Sequence, residues 1–342
     1  MKNNTYRSHS RRRTPWDDKE SLSALEVFVR NEYKNHFDIH HDSNKLLAEA
    51  DLLNAYSPDC CPRCGSTHFV KHGKYRNGLV RYSCHDCHRN FSITTGTVFQ
   101  DHKLSISEWI EFLLNLFGYS SINLNSKMNK NASTTTKYWI KKVFLLLEDY
   151  QSDIVLEGKV WIDEFYYSVV RKELVYKENG KLPRGLSRNK YCVGLGCDNN
   201  GSFIAFVEGK AKTSVRKTLD TYQAHIKEGS TLNHDSEHSH EALVDLLGLK
   251  SNVYPTKETK LLEDQKNPMK EINHVCSALR SFLDSHPGFK REELQDYLNL
   301  FVFMQSRPKN KLEKVNILLQ LGLKTPKSLK FREYYSKKSP KT

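Results

Sequence analysis

Residues 159–170 read KVWIDEFYYSVV, an apolar and aromatic run with one carboxylate, Asp163, set near its middle. Such runs, rich in Val, Ile, Phe and Tyr, form strands. A carboxylate inside one is costly to bury unless paired or metal-bound, so Asp163 marks a candidate site. Its neighbour Glu164 reads as an acid facing solvent. Two more strand-like runs follow, KYCVGLGCD and SFIAFVEGK, separated from each other and from the first by the turn formers PRGLSRN and NNG. Next come SVRKTLDTYQAHIKE as a helix, STLNHDS as a strand, HEALVDLLG as a short helix, KSNVYPT as a strand and MKEINHVCSALRSFLDSH as a clear helix. Three strands followed by alternating helices and strands predict a ribonuclease-H-like mixed α/β domain over 155–305, closing with the helix REELQDYLNLFVFM.

Asp235 ends the run LNHDS, where a parallel strand leaves its residues at the rim of the sheet. It follows Asp163 by 235−163 = 72 residues, room for two strands and a helix between them. A third polar partner is expected from the helix after the fifth strand, whose apolar stripe is Ile272, Val275, Cys276, Leu279, Phe282 and Leu283. Asn273 and Arg280 share one flank of that stripe and Glu271 lies on the other, so only one of Glu271 and Asn273 reaches the aspartates. His234, His238 and His240 read as a polar loop after the strand. Cys192, Cys197 and Cys276 read as small buried residues.

Upstream, CPRC and CHDC are two C-x2-C knuckles, Cys61 with Cys64 and Cys84 with Cys87, separated by 19 residues. One tight turn presents two thiolates to one face of a tetrahedron, and two such turns complete a four-thiolate structural zinc site. Cys60 lacks the spacing and reads as a spectator. Between the knuckles Lys71, Lys74, Arg76 and Arg81 alternate with Tyr75 and Tyr82 and no acid, which suits a β-hairpin laid on nucleic acid. Further on, ISEWIEFLLNLFGY, INLNSKMNK and ASTTTKYWIKKVFLLLEDY read as three helices. A polar turn before the third resembles a helix-turn-helix, with Lys137, Lys141 and Lys142 facing DNA.

The predicted organisation is therefore multidomain α+β. A disordered basic tail at 1–18, holding Arg11-Arg12-Arg13, precedes a helical segment at 19–58 and a zinc ribbon at 59–104. A helix-turn-helix-like linker at 105–150 leads to the ribonuclease-H-like domain, and a basic tail covers 306–342. The net charge of +13 is concentrated in residues 61–150 (+6) and 251–342 (+8), around a neutral 151–250. Basic blocks are the footprint of polyanion binding. No window approaches the roughly 18 apolar residues of a membrane span, and no apolar stretch follows the basic N-terminus as in a signal peptide. The cysteine usage fits a reducing cytoplasm.

Taken in order, CPRCGS, YSCHDCHRNFSITTGTVF, WIDEFY, LNHDS, INHVCSALRSFL and GFKREELQDYLNLF resemble the bacterial insertion-sequence transposases that join a zinc ribbon to an ISXO-like DDE domain. The resemblance runs from about Cys60 to Phe303. It implies that Asp163 and Asp235 hold catalytic Mg2+ or Mn2+, two ions in all. The family's third ligand, followed seven residues later by a basic residue, falls on Asn273 with Arg280; Glu271 is the alternative. The resemblance further implies DNA strand cleavage and strand transfer, with transposon ends and target DNA as partners. A homodimer or larger synaptic complex, and a nucleoid-associated, cytoplasmic location, go with it. The competing reading is a non-catalytic DNA-binding protein derived from a transposase. A zinc-ribbon transcription factor would leave residues 159–303 without a role.

Overall fold

The computed structural model describes residues 16–24, 26–31, 44–102 and 105–336. The Arg11-Arg12-Arg13 tail and part of the predicted N-terminal helical segment lie outside them. The chain divides into two compact units, one of residues 1–118, 122–138 and 319–342, the other of 119–121 and 139–318.

In the first unit, helix α1 (Asn44–Asn54) precedes a three-stranded sheet of β1 (Phe69–Lys74), β2 (Val80–Cys84) and β3 (Asn90–Phe91), in that order. Both pairings are antiparallel, with Phe69 opposite Cys84 and Tyr82 opposite Phe91. The hairpin turn needs Gly78: its φ is +83°, and an added Cβ would lie 2.9 Å from that of Ala50. Asn54, the last residue of α1, clamps the turn by donating to the Gly78 carbonyl and accepting from the Val80 amide. Helix α2 (Ile106–Leu116) starts with a capping box between Ser105 and Glu108. It buries Ile106, Trp109, Phe112, Leu113 and Leu116, the stripe its sequence predicts. Helix α3 (Ile122–Met128) follows, and helix α4 (Ser133–Leu146) begins in this unit, with its residues from Trp139 onward belonging to the second. Buried Asn125 ties α3 to α2 by donating to the Phe112 carbonyl at 3.0 Å.

The second unit is built on five strands: β4 (Lys159–Ser168), β5 (Lys190–Asp198), β6 (Phe203–Lys210), β7 (Thr231–His234) and β8 (Lys250–Val253). Their order is β6-β5-β4-β7-β8. The first three pair antiparallel, whereas β4–β7 and β7–β8 are parallel. Helices α5 (Val215–Tyr222), α6 (Ser239–Leu247) and α7 (Lys270–Ser285) complete the predicted element order. Helix α5 ends at Tyr222, short of the predicted 214–228, and Ile226 forms an isolated bridge with Leu156.

One face of the sheet packs through Val160, Ile162, Ile204 and Leu232 against Tyr222, Leu243 and Leu249. Glycines in β5, next to the central strand, permit that approach: a Cβ on Gly194 would fall 2.9 Å from Thr221 and from the Tyr222 hydroxyl. On β4, Trp161, Asp163 and Phe165 alternate to the opposite face, where α7 lies. Trp161 donates to the Pro268 carbonyl at 2.9 Å, just before α7 begins. The outer edge of β6 is sealed by glutamines: Ala205 exchanges hydrogen bonds with Gln151, and the Val207 amide donates to Gln295 of helix α8 (Leu294–Gln305).

Residues 306–342, predicted as a basic tail, instead contain helix α9 (Lys311–Lys324) and a short helix at Phe331–Ser336. Val315, Leu318 and Leu323 bury one stripe of α9, and buried Lys314 donates to the carbonyls of Phe303 and Ser306 at the end of α8. No helix among the described residues is long and apolar enough to cross a membrane.

Candidate active site and metal centre

The four cysteines of the knuckles converge, with all four sulfurs within 4.8 Å of one another. Cys61 Sγ lies 3.7 Å from Cys87 Sγ, and Cys64 Sγ 3.6 Å from Cys84 Sγ. Thiolates bonded to one tetrahedral ion at about 2.3 Å stand about 3.8 Å apart, so the set fits a single metal ion. Each knuckle turns through a left-handed residue after its second cysteine, Gly65 (φ 75°) and His88 (φ 55°). Backbone amides of Cys87 and Asp86 hold the Cys84 thiol down to about 7. Among the described residues this is the one group of three or more His, Cys, Asp or Glu compact enough for an ion. Cys60 is exposed and apart from it. Phe69, Tyr82 and Phe91 pack beneath the knuckles with ring centroids 5.3–5.6 Å apart.

On the ribbon, Lys71, Lys74 and Arg76 are exposed. Arg81 is half-buried, and its Nε donates to the His72 carbonyl at 2.8 Å. Of the three lysines assigned to a recognition helix, only Lys137 is exposed. Lys141 is ion-paired with Glu293 and Asp296, and Lys142 is 6% exposed, with burial pushing its ammonium down to about 8. Both belong to the wide apolar stripe of α4, beside Trp139, Ile140, Val143 and Phe144, so the expectation that they face DNA is corrected.

In the sheet unit, the parallel pairing of β4 with β7 joins Lys159 to Thr231, Val160 to Leu232 and Trp161 to Asn233. That offset is 231−159 = 72, and carried two residues past Trp161 it sets Asp163 beside Asp235, the first residue beyond β7. Burial first, then the charges of Glu164 and Asp235, push the Asp163 carboxyl up to about 7. A carboxylate raised in this way beside a second one fits a cation site, since a bound cation relieves both the burial and the repulsion of Asp163. Asp235 accepts from the Glu237 amide at 2.9 Å.

Helix α7 lies along β4 at this point. Cys276 Sγ contacts Asp163 Oδ2 at 3.9 Å, and the Arg280 guanidinium stacks 4.8 Å from the Phe165 ring centre. Asn273, exposed, stands one turn before Cys276 on the flank it shares with Arg280. Glu271 is exposed as well, and its charge acts on the Cys197 thiol. Cys192 and Cys197 are buried as expected; Cys276 is only half-buried.

Two sequence expectations fail beside the aspartates. Glu164 does not face solvent: its side chain is 6% exposed and bonded to His240 at 2.9 Å. Nor do all the histidines belong to a polar loop. His234 is buried on β7 and His240 on α6, while His238 alone is exposed. Burial, then the neighbouring His240, lowers His234 to about 4. Burial also works against the His240 cation, but the hydrogen bond and charge of Glu164, with Asp235 and Glu237, outweigh it and raise its pKa. A histidine five residues after a strand-end aspartate was the available signal.

No family model matches the chain. Among curated proteins it is 47% identical over 34 residues to the insertion element iso-IS1N protein InsA of Shigella dysenteriae, covering 10% of this chain and 38% of that protein. Solved structures with some similarity include a pre-cleavage Mos1 transpososome (TM-score 0.21, 9% identity, 62% of this chain and 78% of that one). A Mos1 mariner paired-end complex with Mn is another (TM-score 0.22, 11% identity, 62% and 78%). The longest of these sequence matches is to an uncharacterized protein in transposable element ISH50 of Halobacterium salinarum, 35% identical over 259 residues, covering 70% of this chain and 83% of that protein. The chain thus belongs to the family of transposable-element proteins that includes the ISH50 protein.

Proposed function

We propose that the chain is the transposase of an insertion sequence, a metal-dependent enzyme that cleaves DNA at the element's ends and joins them to target DNA. The observation that supports this reading is the placement of Asp163 on β4 and of Asp235 just past the end of the adjoining parallel strand β7, near enough for its charge to act on Asp163, in a chain whose relative belongs to a transposable element. In the reading, both carboxylates hold Mg2+ or Mn2+, hard ions that suit oxygen ligands. Bound there as a pair, the ions supply the Lewis acidity of two-metal phosphoryl transfer. Asn273 offers its amide oxygen as the third ligand, and Arg280, fixed on Phe165, meets a phosphate near the reacting oxygens. Glu271, on the other flank of the α7 apolar stripe, is the alternative third ligand.

The knuckle cysteines hold one structural zinc, because four thiolates fill the tetrahedron and leave no position for substrate. Lys71, Lys74, Arg76 and Lys137 are the exposed cations proposed to contact phosphate. Two ends must be cut together, so a dimer or larger synaptic assembly is the working state. The test is whether purified full-length protein binds a duplex carrying the element's terminal repeats and, given Mg2+, releases a strand ending in a 3′-hydroxyl. Binding without cleavage under every divalent ion tried would favour a non-catalytic DNA-binding protein.

A further inference from the structure

Glu164 and His240 adjoin the two aspartates, yet the chemistry proposed above leaves both unused. Their side chains are 6% and 0% exposed. A carboxylate and an imidazole withdrawn from water need partners, and these two find each other at 2.9 Å, Oε1 to Nε2. They come from different elements. Glu164 follows Asp163 on β4 and points to the opposite face of the sheet; His240 lies in the first turn of α6, five residues after Asp235.

An ionised carboxylate only accepts, so Nε2 of His240 is the donor to Glu164. That bond fixes the ring and turns Nδ1 toward the end of β7. There it lies 3.2 Å from His234 Nδ1 and 3.6 Å from Asp235 Oδ1. His234 is held in turn by Ser251 of β8, Nε2 to Oγ at 2.9 Å. A line of side chains therefore runs from Glu164 through His240 and His234 to Ser251, with the Asp235 carboxylate against its middle. Asp235 needs such support, because it stands just past the last ladder residue of β7 and, among the described residues, its carboxylate accepts a backbone bond only from Glu237. Glu237 itself is drawn aside by Lys212 at 2.9 Å.

Resting on the two-aspartate reading above, we infer that Glu164 and His240 form a positioning pair that orients the Asp235 carboxylate for its metal ion. Neither meets substrate; both act through Asp235. Removing the outer partners that hold a metal ligand in place commonly weakens metal binding about 10–100-fold.

The experiment titrates full-length wild-type protein and the variants His240→Ala, Glu164→Gln and Asp163→Asn with Mn2+. Free ion is read by electron paramagnetic resonance, and nicking of an end-bearing duplex is followed across the same Mn2+ range. His240→Ala and Glu164→Gln should each weaken Mn2+ binding about 10-fold or more, with nicking recovering toward the wild-type rate at high Mn2+. Asp163→Asn should not recover. Glu164→Gln keeps the volume of the side chain, so it decides the matter should His240→Ala fail to fold. Mn2+ affinity within twofold of wild type in folded Glu164→Gln overturns the inference. Wild-type protein that binds DNA but no Mn2+ overturns the two-aspartate reading instead, and the inference with it.

Discussion

Asp163 and Asp235 are 72 residues apart in the chain, the same offset that pairs β4 with β7, and near enough for the charge of one to raise the pKa of the other. The antiparallel half of the sheet carries the first aspartate into the centre, and the parallel half brings the second alongside it. Most of what can be tested follows from that adjacency.

The first consequence is a trade of stability for chemistry. Asp163 titrates near 7 when folded, against an ordinary value of 3.8. A carboxyl raised on folding favours the native state below its unfolded pKa, and that contribution is lost as pH rises through the folded value. Asp163→Asn should therefore stabilise the metal-free protein by about 1–3 kcal/mol at pH 8, with the gain shrinking as pH falls from 7 toward 4. Urea denaturation of both proteins at pH 4, 6 and 8 measures this.

The third ligand separates Asn273 from Glu271. Asn273 shares its flank of α7 with Arg280, one turn from the thiol that touches Asp163, whereas Glu271 lies on the other flank of the apolar stripe. Asn273→Ala should lower the nicking rate by about 100-fold or more, with Glu271→Ala staying within about threefold. Single-turnover rates on an end-bearing duplex settle which residue serves.

Metal analysis of the purified chain should return one zinc per molecule. Cys61→Ser and Cys84→Ser should lose it and expose the ribbon to proteolysis, because metal binding and folding are one event in such small sites. Cys60→Ser should retain full zinc, since Cys60 lies outside the sulfur cluster.

DNA affinity should depend on the exposed hairpin cations and not on the lysines of α4 that are buried or paired. Replacing Lys71, Lys74 and Arg76 by Ala together should weaken duplex binding and reduce the salt slope by about 3. Lys141→Ala should leave the affinity unchanged, since its ammonium is engaged by Glu293 and Asp296. Fluorescence anisotropy between 50 and 200 mM salt, roughly the range over which counterion release is read, distinguishes the two.

The knuckles and Asp163 were legible because each breaks a local rule: paired cysteines at ligand spacing, and a charge inside an apolar strand. Asp235 was legible from its place at the rim. Glu164 was misread because strand alternation turns it away from Asp163, onto a face that the sequence gives no sign is covered by α6. His240 looked like a loop residue because its partner is 76 positions away. Lysine density hid α9, where Val315, Leu318 and Leu323 repeat at helical intervals between cations. The same density made Lys142 look like a DNA contact, although its neighbours in α4 bury nearly the whole turn.

The most direct test of the two-aspartate site is strand nicking by the full-length protein on a duplex bearing the element's terminal repeats, in Mg2+ and in Mn2+. The account predicts metal-dependent nicks ending in a 3′-hydroxyl, abolished by Asp163→Ala and by Asp235→Ala in protein that still holds zinc and still binds the duplex. Nicking that persists in either variant would contradict it.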